Sequence, residues 1–297
     1  MLLVSGSCAL VFQVVWIREL RLVFGATTAS SAAVLAIFMA GLGLGNWLFG
    51  RRIDNSIRPL RFYGLLELGI ALSAGLSPLL IVLIRQMYVG MGGQAALGPE
   101  LATILRLFAS AVILAIPTIL MGGTMPAAAR AVSNDADQNR RGVAWIYGLN
   151  TIGAVVGAGL ANFMLLEALG NRLVLWSACV VNLLLAAAAL GLSQKLSATP
   201  LTKTKLQKPE PSLPTTSAQE QGRIGIVCIS SGIVGFVFFL MEIVWYRMLG
   251  PLLGGTTYTF GLILCVALLG IGVGGAVYGL LARHLKPSLQ LLAGVCA

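Results

Sequence analysis

The chain has 297 residues, 58% of them hydrophobic and only 10% charged, with a mean hydropathy of +0.91. These values exclude an ordinary soluble globular domain. A net charge of +10 and an isoelectric point near 9.8 would suit a nucleic-acid binder, but the bases gather at one set of loops, as set out below, so no nucleic-acid partner is needed to explain them.

Apolar runs of the roughly 20 residues that a bilayer demands occur at 3–24, 28–50, 62–86, 103–122, 142–166, 172–194, 224–249 and 257–282. The first carries Gln13, Trp16, Arg18 and Glu19; "LLVSGSC" before Cys8 lacks the basic stretch of a lipoprotein signal. The second contains "AGLGLGNWLFG" and leads into the basic loop "GRRIDNSIRPLR". Glu67 lies about two turns into the third. Pro117 and Pro126 frame "TILMGGTMP" and are expected to kink or end the fourth. The fifth opens on "GLNTIGAVVGAG", in which Asn150, Gly153 and Gly157 suit close helix packing with a polar lock, or a gate. After the sixth comes a stretch rich in Lys, Pro, Ser and Thr over 195–222, with the composition of a flexible linker. The seventh carries Glu242 and Trp245, the eighth "LGIGVGGAVYG". The closing "PSLQLLAGVCA" reads as the start of a ninth span, so the chain is expected to stop inside a repeating architecture.

Gly270, Gly272 and Gly275 spell the dinucleotide-binding pattern G-x-G-x-x-G. That fingerprint needs a strand before it and a helix opening on it, whereas here it sits deep in an apolar run of helical length. Gly41 with Gly45, and Gly270 with Gly274, fall four apart on one helix face, a spacing that lets a neighbouring helix approach closely. The two glycine ladders belong to a longer repeat. A shift of 229 residues aligns 13–50 with 242–279 without a gap and matches Trp16 with Trp245, Arg18 with Arg247, Gly25 with Gly254, and Gly41, Gly43, Gly45 and Gly50 with Gly270, Gly272, Gly274 and Gly279. The chain is therefore read as a six-helix unit at 1–194, a cytoplasmic linker at 195–222 and the start of a second unit at 223–297.

With a cytoplasmic N-terminus, 14 of the 20 basic residues fall at inner loops, among them Arg51, Arg52, Arg58, Arg61, Arg130, Arg140, Arg141, Arg283 and Lys286. Arg18, Arg21, Arg85, Arg106, Arg172 and Arg247 fall at the outer ends. The positive-inside bias supports an inward N-terminus and linker, with the basic face toward anionic lipid.

Six helices, an inner linker and a parallel second copy form the layout of the two halves of a major facilitator transporter. Gly50, Arg51, Arg52 and Asp54 faintly resemble that superfamily's glycine, acid and basic motif after its second helix, with the second glycine and basic tail displaced. The phrases "SGSCALVFQVVWIRELRLVFGATTAS", "VLAIFMAGLGLGNWLFGRRID", "MGGTMPAAARAV", "IYGLNTIGAVVGAGLANFMLLEALG" and "MEIVWYRMLGPLLGGTTYTF" together resemble the membrane domain of bacterial fused transporter and spermidine synthase proteins. The resemblance implies an all-α polytopic protein of the bacterial inner membrane, a major facilitator-like six-helix bundle plus the first helices of a second repeat. It also implies a link to polyamines. The aminopropyltransferase domain of that family, with its nucleoside site and catalytic acids, has no counterpart in these residues.

No catalytic constellation can be assembled. The single histidine, His284, stands beside Arg283 and Lys286 at a span end, and Cys8, Cys179, Cys228, Cys265 and Cys296 are scattered singly without a C-x-x-C pair. No metal or cofactor is expected. The acids within spans are more informative, because carboxylates there are costly and often functional. Glu67 and Glu242 are candidates to bind an organic cation such as a polyamine. Glu19 and Glu167 suit an outer-surface ion cluster. Gln13 occupies the place of Glu242 in the first repeat, and Trp16 and Trp245 follow one turn later on much the same face, where each could enclose a cation or anchor at the outer interface. Two functions follow: a transporter-like protein for a polyamine or related metabolite, or a noncatalytic membrane partner that positions a soluble aminopropyltransferase.

Overall fold

The computed structural model describes residues 1–24, 28–54, 56–132, 141–198, 218–254, 257–281 and 294, and among them there is no strand. The helices are α1 (Leu2–Phe24), α2 (Thr28–Asp54), α3 (Pro59–Gly90), the short α4 (Gly93–Leu97), α5 (Pro99–Val132), α6 (Arg141–Leu160), α7 (Leu166–Ala198), α8 (Ala218–Leu253) and α9 (Thr257–Leu281). A π-helical turn, Ala161–Leu165, joins α6 to α7. Seven helical stretches are long and apolar enough to cross a membrane, and one of them, 145–196, is 52 residues long. Gly170 breaks that stretch with φ +73° and ψ 170°, a conformation that glycine adopts without the steric cost a Cβ would bring. The fifth and sixth predicted spans thus turn into each other at one residue.

Most of α2, α3 and α5 to α9 shows no narrow apolar stripe. Leu72, Phe108, Ile116, Trp145, Phe236 and Val266 are among many large apolar side chains left exposed. Helices apolar on all sides belong inside a large core or a bilayer, and these surround a single layer of neighbours.

α1 stands at the centre, against α6, α7, α2 and α5; α2 pairs with α5, and α3 lies between α5 and α7. Phe12, Trp16, Ile17 and Leu20 of α1 form the main core with Phe38, Ile70, Leu114 and Leu175. A smaller core of Ile53, Tyr63, Leu66, Ala127, Ile146 and Ala189 lies toward the ends where α3 begins and α5 stops. From the second unit, α9 packs on α6, and Tyr246, Phe260, Ile263 and Leu264 join the main core.

Backbones come close where small residues face each other. A Cβ on Gly41 would run into Thr118 Oγ1, and one on Gly45 into the Ile119 carbonyl. On the α1 and α6 seam, Gly153 meets the Leu3 carbonyl, Gly157 the Ser7 carbonyl, and Ser7 Oγ donates to Gly153 O at 2.8 Å. Between the units, Gly261 of α9 lies against the Asn162 side chain in the π-helical turn, while Asn162 Nδ2 donates to Ala158 O at 2.8 Å.

A Cβ on Gly270 or Gly274 would meet nothing within 4 Å among the described residues, whereas one on Gly41 or Gly45 would run into α5. The partner that makes α2 crowded is α5, the fourth span of the first unit, and the described part of the second unit contains only two helices. Pro117 and Pro126 do not end the fourth span, since α5 runs through both. Thr118 Oγ1 donates to Leu114 O at 2.6 Å and Thr124 Oγ1 to Met121 O at 2.7 Å, side-chain bonds back onto the helix near each proline. Helix α7 continues to Ala198 and α8 starts at Ala218, so both ends of the expected linker are helical. The remainder of that linker, His284 and the start of a ninth span lie outside the described residues.

Candidate functional site

α1 and α8 are the first helices of the two repeats, and each buries one polar side chain at the matching position. Gln13 and Glu242 are both 1% exposed. Neither the Gln13 amide nor either oxygen of the Glu242 carboxyl has a hydrogen-bond partner. A buried polar atom without a partner costs about 1–3 kcal/mol, and more when charged, so these four atoms at two positions equivalent in the repeat are points where the fold does not satisfy its own polar groups.

Aromatic rings flank both. Phe12 stacks on Trp16 with centroids 5.5 Å apart, and Phe38 tilts against Trp16 at 6.3 Å. On the other unit Tyr246, one turn beyond Glu242, meets Phe260 edge-on at 5.8 Å.

The two tryptophans, identical in the repeat, part company here. Trp16 is 0% exposed and its Nε1 donates to Ser77 Oγ at 2.9 Å, which removes it from the outer interface. Ser77 Oγ in turn donates to Ala74 O at 2.7 Å. Ala74 is the residue whose carbonyl Pro78, lacking an N–H, leaves without its helical donor. Trp245 is 39% exposed. Tyr246, not Trp245, is the buried aromatic on this part of α8, a difference that the repeat alignment hides because both helices keep their tryptophan.

Glu67 has surroundings of its own. It is fully buried on α3, where its Oε1 accepts from Ser5 Oγ at 2.5 Å. Ser5 lies eight residues before Gln13 on α1, about 12 Å along the helix axis. Glu19 is also paired differently from expectation: Asn171 Nδ2 donates to its Oε1 at 2.6 Å. Glu167 is exposed in the first turn of α7.

A cavity of about 130 Å³ lies at the far ends of α1, α3 and α5 between Leu20, Ile81, Tyr88, Arg106 and Ile113, with the Arg106 guanidinium 5.6 Å from the Tyr88 ring centre. Its walls hold no carboxylate, so it does not suit a cation. Cys8, Cys179, Cys228 and Cys265 are free thiols, and among the described residues no three His, Cys, Asp or Glu side chains gather to hold a metal.

No family model matches this chain, and no solved structure matches it. A protein of Streptomyces coelicolor described as polyamine aminopropyltransferase 2 is 28% identical over 169 residues, which make up 57% of this chain and 29% of that protein. The chain thus spans less than a third of that relative's length. It is an all-helical, strongly apolar chain with distant similarity to a polyamine aminopropyltransferase.

Proposed function

We propose that this chain is a multi-pass, transporter-like membrane domain that binds an organic cation of the polyamine class where its two repeat units meet. The observation that carries the reading is the pair Gln13 and Glu242: equivalent in the repeat, enclosed, and with every side-chain polar atom unpartnered. An ammonium group would give the Glu242 carboxylate the counter-charge that the fold withholds, and the Gln13 carbonyl could accept from a second one. Trp16 and Tyr246 supply aromatic surface beside these positions, a setting that favours cations when desolvated.

The surroundings agree with this reading. Helices apolar on all sides fit a bilayer, and the basic loops fit an inward N-terminus and linker in a bacterial inner membrane. Access to an enclosed site requires the units to rock apart. The α6 and α9 contact at Asn162 and Gly261 is a place where they could pivot, because a π-helical turn already departs from the regular ladder.

Equilibrium binding of labelled spermidine to the purified chain in lipid nanodiscs tests the site. Glu242→Gln removes the counter-charge and should weaken binding by about thirtyfold, the equivalent of about 2 kcal/mol. Binding that is unaffected by Glu242→Gln contradicts the proposal.

The second reading is a noncatalytic membrane partner for an aminopropyltransferase, and what favours it is the printed description of the Streptomyces coelicolor relative. That reading expects a soluble aminopropyltransferase to copurify with this chain whether or not Glu242 is neutralised.

A further inference from the structure

The buried carboxyl of Glu67 has a surrounding of its own. Ser5 Oγ donates to Oε1 at 2.5 Å, while Oε2 is buried with no partner. Tyr63, one turn earlier on the same helix face, is also buried, and its hydroxyl faces both the Glu67 carboxyl and Ser5. The Met1 amine acts on Glu67 as well, and Glu67 in turn acts on Cys8 of α1, which also feels Cys179 of α7.

A carboxylate with one oxygen unpartnered in so apolar a setting is several kcal/mol too costly to persist. A proton on Oε2 removes the charge and lets Oε2 share a hydrogen bond with the Tyr63 hydroxyl that faces it. The remaining oxygen, Oε1, is then the carbonyl that Ser5 already serves. A proton is also the one cation that needs no cavity, and Glu67 is fully enclosed.

We propose that Ser5, Tyr63 and Glu67 form a proton-binding site inside the first unit, with the proton held on Glu67 Oε2 and hydrogen-bonded to Tyr63. The site is distinct from the Gln13 and Glu242 pair and does not depend on what binds there. Ser5 lies in the first turns of α1, close to the exposed Met1, and Arg58 and Arg61 are exposed where α3 begins. Releasing the proton leaves an unpartnered charge between α1 and α3. Water must then enter that seam, so proton release is linked to its loosening.

Infrared spectra of the full chain in nanodiscs, taken from acidic to alkaline pH, read the carboxylic acid carbonyl directly. The site predicts a carbonyl band at neutral pH that shifts in heavy water, vanishes in Glu67→Gln and survives in Glu242→Gln. Ser5→Ala should move the same band to higher frequency, because Oε1 loses its donor. Glu67→Asp, which retains a carboxyl if the glutamine variant does not fold, should shift the band without abolishing it. Spectra that Glu67→Gln and Ser5→Ala both leave unchanged would overturn the proton site, whatever the outcome of spermidine binding.

Discussion

At the scale of single residues, the same letter in two repeats does not secure the same role. Trp16 and Trp245 align, yet one is enclosed and donates to Ser77 while the other is partly exposed. A tryptophan near a span end reads equally as anchor or as core, and only its neighbours decide. For Trp16 the deciding neighbour is Ser77, whose hydroxyl serves two partners: it accepts from the indole and donates to the carbonyl that Pro78 strands. Ser77→Ala should therefore cost about 1 kcal/mol or more of stability, read as a lower unfolding midpoint in lipid nanodiscs. Trp16→Phe combined with Ser77→Ala should lose less than the two single changes summed, because removing both partners leaves one orphan fewer. Additive losses would contradict the relay. The inward acids were legible from sequence as costly residues within apolar runs, but the full grouping was not: Tyr63 lies one turn from Glu67 on α3, whereas the proximity of Ser5 depends on how α1 lies against α3.

At the scale of elements, the helices follow the apolar runs closely because backbone groups in so hydrophobic a chain have few partners other than their own helix. What the runs leave open is where helices stop and what they touch. Proline suggested a kink or an end in α5, yet the helix runs through both prolines. Gly170, by contrast, drew no attention as a turn, although its positive φ lets two spans meet at a single residue. The glycine ladders make the same point about contacts, since crowding is a property of the pair and not of the glycine. Gly45→Ala should destabilise the chain, because its Cβ would enter the space of the Ile119 carbonyl. Gly274→Ala meets nothing within 4 Å and should be neutral or stabilising by up to about 1 kcal/mol, the intrinsic helical advantage of alanine. Thermal unfolding of the two variants side by side checks this, and equal losses would mean that Gly274 is packed after all.

At the scale of the whole molecule, the all-helical class and its length of apolar helix were readable from composition and periodicity alone, since both are averages over many residues. The arrangement of the two units was less accessible. The repeat announces that a second unit begins, while the docking of α9 on α6 rests on contacts such as Gly261 with Asn162, Cys265 with Val155 and Gly272 with Thr151. In the proposed account, the first of these contacts lets the units move about a cation held near Gln13 and Glu242. The most direct measurement is uptake of labelled spermidine and putrescine into proteoliposomes containing the chain, compared with Glu242→Gln. The account predicts saturable uptake that falls at least tenfold in the variant while both proteins remain folded. Absence of uptake above empty liposomes by the folded chain, or uptake that Glu242→Gln leaves intact, would contradict it.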